Sequence, residues 1–116
     1  MADSPLIVKS KAFALDAIRV CKELRAAKCE GALINQFLRS STSIGANIRE
    51  AFYAHGKADF IAKLQIALKE ANETEYWLEI FYRAELLTLE QYESVNNDCK
   101  ELNKLLISII NNLKNN

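Results

Sequence analysis

His55 is the one histidine of the 116-residue chain, and it stands beside Gly56 where a helical pattern ends. There its ring is expected to meet the last carbonyls of a helix, a capping role rather than catalysis. The three cysteines, Cys21, Cys29 and Cys99, are odd in number, form no C-x-x-C pair and have no histidine at metal-site spacing. They are expected to be reduced thiols of a cytoplasmic protein. Glu70, Glu73, Glu75 and Glu79 raise the question of a carboxylate metal site of the four-helix kind. Such sites also take Glu-x-x-His pairs from other helices, and a single histidine cannot supply them. Glu70, Glu73 and Glu79 are therefore assigned to a solvated face. With no H-E-x-x-H, nucleophile elbow or phosphate loop in the chain, neither an enzyme nor a cofactor is expected.

Three other groups of residues suit binding. Glu75 lies next to the apolar positions Ala71, Thr74 and Leu78, while Asn47 and Glu50 lie next to Ile44, Ile48 and Ala51. Polar groups beside an apolar seam need partners, because an unpaired buried carboxylate is costly. Asn47, Glu50 and Glu75 are expected to join a polar network or a subunit contact, with Arg39 or Arg49 as counter-charge. Phe52, Tyr53, Tyr76, Trp77, Ile80 and Tyr82 are in surplus for one core, and Trp77 and Ile80 fall away from the main stripe of their helix, which points to an oligomer or a protein partner with Tyr53 and Trp77 as interface aromatics. Arg19, Lys22 and Arg25 recur every three residues, with Lys9, Lys11 and Lys28 on the same element. That strip could contact nucleic-acid phosphates, although Asp16 and Glu23 interrupt it.

The elements that must position these groups follow from composition and periodicity. Half of the residues are hydrophobic, while three are Gly and one is Pro, too little punctuation for a hairpin-rich β domain. The 15 basic and 15 acidic residues cancel. They are unevenly placed, with residues 1–63 at +4 and residues 64–116 at −4. The amino terminus lacks a secretory pattern and no stretch approaches a membrane span, so a soluble, cytoplasmic protein without membrane partners is expected.

Four helical patterns fill the chain. The first follows Ser4-Pro5, a cap and a proline at the first helical position, and carries Phe13, Ala17, Val20, Cys21 and Leu24 on one face. It breaks around Lys28–Gly31, where Gly31 is expected to supply the turn. The second keeps phase through Ile34, Phe37, Ser41, Ile44, Ile48 and Ala51. The run Ser40–Asn47, SSTSIGAN, therefore belongs inside a helix and not to a phosphate-binding loop. Close approach of a neighbouring helix at Ser41, Gly45 and Ala46, and hydroxyls bonding back to the preceding turn, are expected to offset its poor helix propensity. A third helix is expected from about Ala58 to Leu87. A fourth starts at the capping box Thr88–Gln91 and carries Tyr92, Val95, Cys99, Leu102, Leu106, Ile109 and Leu113, with a frayed tail at residues 111–116. Short connections imply one domain over residues 1–116, an all-α up-down-up-down antiparallel four-helix bundle.

The stretch Arg39–Glu50, RSSTSIGANIRE, followed by Lys57-Ala58-Asp59-Phe60-Ile61 and Ile66-Ala67-Leu68, resembles the signature of the 23S rRNA-intervening sequence protein family. These are small four-helix-bundle proteins first noticed in intervening sequences of bacterial large-subunit ribosomal RNA genes. The similarity covers the chain in length and helix order and includes a glutamate matching Glu75. It implies a ring-like homopentamer and kinship with the accessory proteins of diversity-generating retroelements, which partner a reverse transcriptase and bind nucleic acid. The chain departs from that pattern in having Ala51 after Glu50, where Glu-Gly is frequent, and in being neutral where the accessory relatives are basic. The expected function is a non-enzymatic, oligomeric scaffold or adaptor; the alternative is direct RNA or DNA binding through helix 1.

Overall fold

A computed structural model describes residues 4–115, and these form four helices: α1 (Pro5–Ala26), α2 (Gly31–Ala51), α3 (Lys57–Arg83) and α4 (Leu89–Lys114). Met1, Ala2 and Asp3, on which the absence of a leader was partly judged, lie outside the described residues, as does Asn116 of the tail. α1 begins as its sequence dictates, with the Ile7 amide donating to Ser4 Oγ at 3.4 Å and Pro5 at the first helical position. α4 begins on a complete capping box, in which Gln91 N–H donates to Thr88 Oγ1 and Thr88 N–H to Gln91 Oε1.

The two turns that follow α1 and α3 differ from expectation in an instructive way. Gly31 is the first residue of α2, and the left-handed residue that ends α1 is Lys28, with φ of 62°. Lys28 N–H reaches the Arg25 carbonyl and Cys29 N–H the Leu24 carbonyl, the paired bonds of a Schellman termination. α3 closes in the same way at Arg83, short of Leu87, because Glu85 adopts φ of 63° and sends Glu85 and Leu86 N–H to Tyr82 and Phe81. Neither left-handed position holds a glycine, so neither was visible as punctuation. Gly56, by contrast, caps α3 at φ of 124°, where a side chain would be strained. α4 continues through Asn111 and Asn112 to Lys114, past the point where fraying was expected.

Contacts join α1 to α2, α2 to α3, α3 to α4 and α1 to α4, with none across either diagonal. The helices thus stand at the corners of a square, and the core fills its centre. Most of each expected stripe is buried: Phe13, Ala17, Val20, Cys21 and Leu24; Ile34, Phe37, Ser41, Ile44, Ile48 and Ala51; Leu64, Ala67, Ala71, Thr74, Leu78 and Phe81; Val95, Cys99, Leu102 and Leu106. Phe60, Tyr92, Ile109 and Leu113 are only partly buried against it, and Ile110 takes the buried place expected of Ile109. Between α2 and α3, Phe37 meets Phe81 edge-on at 5.7 Å and Phe52 meets Phe60 at 5.4 Å.

The SSTSIGAN run is helical throughout, and its hydroxyls turn back on their own helix. Ser40 donates to the Phe37 carbonyl, Ser41 and Thr42 to Leu38, and Ser43 to Arg39. A Cβ added at Gly45 would lie 3.4 Å from Ser10 Oγ and 3.5 Å from the Ser10 carbonyl of α1. The expected close approach is therefore present at Gly45, yet it leaves room for a methyl group.

Candidate interaction surfaces

The α2–α3 seam carries the best-developed polar cluster. Arg39 of α2 reaches across to two carboxylates of α3, with Nη1 3.0 Å from Glu70 Oε2 and Nη2 2.5 Å from Glu73 Oε2. Glu73 also accepts from the Trp77 indole N–H at 3.2 Å. Beneath the ion pairs, the Thr74 hydroxyl lies 3.0 Å from that of Ser40 and 2.8 Å from the Glu70 carbonyl. The hydrogen bond it donates to Glu73 and the charge of Glu70 raise the affinity of the Arg39 guanidinium for its proton. Arg39 is thus a seam residue, as expected, but its partners are two glutamates that had been assigned to solvent. Glu70, only 8% exposed, is among the buried residues of α3. It lies three residues after Ala67 and four before Thr74, so its place at the edge of the stripe was legible in the helical phase.

The other members of the expected network are not brought together within the chain. Asn47 donates to the Ser43 carbonyl of its own helix at 2.8 Å, and Glu50 is exposed. Glu75 faces α4, where it accepts a hydrogen bond from the Asn103 amide. Burial pushes the Glu75 carboxyl above its ordinary value, against the charge of Lys100 and the Asn103 bond. On the same face of α4, Cys99 donates to the Ala71 carbonyl and Tyr92 stacks on Tyr82 at 4.8 Å. The side-chain oxygens of Asn96 and Asn103 are buried there without a donor among the described residues. Asn96 and Asn103 were missed although both keep helical phase, Asn96 four residues after Tyr92 and Asn103 four after Cys99.

The basic strip of α1 is partly neutralised. Arg19 pairs with Asp16 at 2.9 Å and Lys9 with Glu101 of α4, whereas Lys22 and Arg25 are exposed and make no ion pair among the described residues. His55 also differs from expectation. Amide groups of Phe52, Tyr53 and Ala54 take the closing carbonyls of α2, and the exposed His55 ring bonds to none of them.

The two aromatics expected at an interface are placed differently. Tyr53 is 75% exposed at the end of α2. Trp77 is half-buried, stacked on Phe81 at 6.3 Å and bonded to Glu73, so much of its surface is used inside the chain. Tyr53 borders a groove of about 350 Å³ between α1 and α2, whose walls include Ile7, Ala14, Ala46 and Phe52 and whose floor includes Gly45. Among the described residues no three His, Cys, Asp or Glu side chains converge as metal ligands, and no helix is long and apolar enough to cross a membrane.

A square of four amphipathic helices, with a polar cluster at its α2–α3 seam and an apolar groove on one flank, defines a four-helix-bundle protein. The chain belongs to the 23S rRNA-intervening sequence protein family, whose model matches residues 3–108. It is similar to a crystal structure of a protein of unknown function from the S23 ribosomal protein family of Bacteroides thetaiotaomicron. The two share 59% identity with a TM-score of 0.87, over 90% of this chain and 97% of that one. No curated protein matches the chain.

Proposed function

We propose that this protein is a non-enzymatic cytoplasmic scaffold that works as a ring-like homopentamer of up-down-up-down bundles. The observation that carries the reading is exposed apolar surface at the α1–α2 groove, where Phe52 and Tyr53 remain open to solvent, and on α1, where Val8 and Leu15 do. Large apolar groups in contiguous exposed surface favour association over a solitary monomer. The alternation of helix direction is supported by the pairings across α2 and α3, where Phe37, Ser40 and Phe52 of one helix meet Phe81, Thr74 and Phe60 of the other.

Direct nucleic-acid binding through α1 has less to support it. Of Arg19, Lys22 and Arg25, the first is engaged by Asp16, and the whole chain carries no net charge. Sedimentation velocity at two wavelengths, run at low and high salt, separates the readings. The scaffold reading expects one multi-chain species with a protein spectrum at both salts. A species whose nucleic-acid absorbance is stripped by salt, and is lost in a Lys22→Ala/Arg25→Ala variant, would replace it with the binding reading.

A further inference from the structure

Two seams hold α4, and both are built differently from the one between α2 and α3. The α2–α3 contact is the most extensive in the bundle and the α1–α4 contact the least. Aromatic pairs and the Arg39 ion pairs tie α2 to α3, whereas α4 meets each of its neighbours across acidic or unpartnered polar groups. On the α3 side, Asn103 gives an amide hydrogen to Glu75, and the side-chain oxygens of Asn96 and Asn103 lack a donor among the described residues. Asn96 is only 5% exposed and Asn103 6%, so these are acceptors shut away from water. Such groups are costly to leave unpaired. An ionised Glu75 is an acceptor only and adds to the excess beside Asn103, while a protonated Glu75 carries a hydrogen to give.

The α1 side of α4 has the same acidic character. A small cavity of about 140 Å³ there has Asp16 of α1 and Asp98 and Glu101 of α4 in its walls, with Lys9. Lys9 pairs with Glu101 and Arg19 with Asp16, which leaves Asp98 without an ion pair among the described residues. Loss of hydration at the seam and the charges of Asp16 and Glu101 hold the Asp98 carboxyl above its ordinary value, against Lys9 and Arg19. Glu75 is held above its own by burial. The groups that bear on it come from α4: Lys100 and Asn103 favour the ionised form, and Tyr92 and Cys99 lie within reach of its charge.

We propose that α4 is the helix on which the bundle opens, and that its closure is linked to protons held by Glu75 on one seam and Asp98 on the other. Opening returns both carboxyls to water and to their ordinary proton affinity. The closed helix binds the two protons more tightly than the open one does, so their contribution to closure is complete below the ordinary carboxylate values and is lost as pH rises through the raised ones. α1, α2 and α3 are held together by contacts that involve neither group, and they stay packed while α4 moves. Opening of this kind is local, with a free energy below that of global unfolding. The device is independent of the assembly proposed above, since both groups lie on seams within one chain.

The test is native-state hydrogen exchange of the full chain by mass spectrometry, from about pH 5 to about pH 8, with each rate corrected for the intrinsic pH dependence of amide exchange. The protection of α4 amides is expected to be lower than that of α2 amides and to fall several-fold across this range relative to them. Glu75→Gln is expected to flatten most of that fall, and Glu75→Gln/Asp98→Asn to abolish it and leave α4 protected at every pH. Both variants keep the size of the side chain they replace, and helical circular dichroism checks that they fold. A wild-type α4 as protected as α2 overturns the proposal without any variant, as does a ratio of the two that does not change with pH. A double variant that keeps the wild-type fall also overturns it, because the linkage would then belong to other groups.

Discussion

Glu75 is held partly buried between α3 and α4, and its raised pKa has a definite consequence for stability. The folded state binds a proton more tightly there than the unfolded chain does. Folding stability from this group is therefore greatest below the ordinary glutamate value and falls as pH rises through the folded value. Glu75→Gln removes the charge and keeps an acceptor for Asn103. It is expected to raise the melting temperature by a few degrees at pH 7, with the gain shrinking as the pH is lowered toward the ordinary value. A lower melting temperature at pH 7 would show instead that the charged carboxylate stabilises the seam. The thiols make a second residue-scale prediction. Cys21 and Cys99 are buried, while Cys29 is half-exposed, and burial together with Glu30 pushes its thiol up. Native protein is expected to react with a thiol reagent at one site per chain, faster as pH rises, and denatured protein at three. Which polar residues face a seam was partly legible: Glu75 was singled out from its phase and Arg39, with Arg49, as a counter-charge, but a glutamate's partner on another helix depends on which helices become neighbours. That is why Glu70 and Glu73 were assigned to solvent.

At the scale of the element, the apolar phase was sufficient to carry α2 through SSTSIGAN, because tertiary burial of Ile44 and Ile48 outweighs the weak propensity of Ser, Thr and Gly. Helix ends were less legible where no cap residue marked them. Ser4 and Thr88 announce themselves chemically through a hydroxyl that accepts a backbone amide. Lys28 and Glu85 do not, since left-handed backbone at a Schellman termination is imposed by the two closing hydrogen bonds and by what the next helix needs. Holding a side chain there costs about 1 kcal/mol, which glycine avoids. Lys28→Gly and Glu85→Gly are each expected to stabilise the fold by about 0.5–1 kcal/mol in urea denaturation, less the entropy that glycine adds to the unfolded chain. Destabilisation by either would mean that the side chain contributes more than its backbone strain costs.

For the whole molecule, the all-α architecture followed from stripe and punctuation, and contacts around the square without diagonals agree with it. What surrounds the molecule could not follow from the stripes alone. A surface becomes an interface through the shape and charge of residues that no single helix brings together. The groove floor shows the difference of scale. Gly45 was conspicuous in the sequence as a helix-weakening residue, and only the packing of α1 beside it shows that it lines a groove together with Tyr53. The measurement that bears most directly on the oligomeric scaffold is the light-scattering mass of the purified, nuclease-treated protein across a size-exclusion peak. A mass of five times the 13.1 kDa chain, unchanged on dilution, is the result expected; a mass of one chain at every concentration contradicts it.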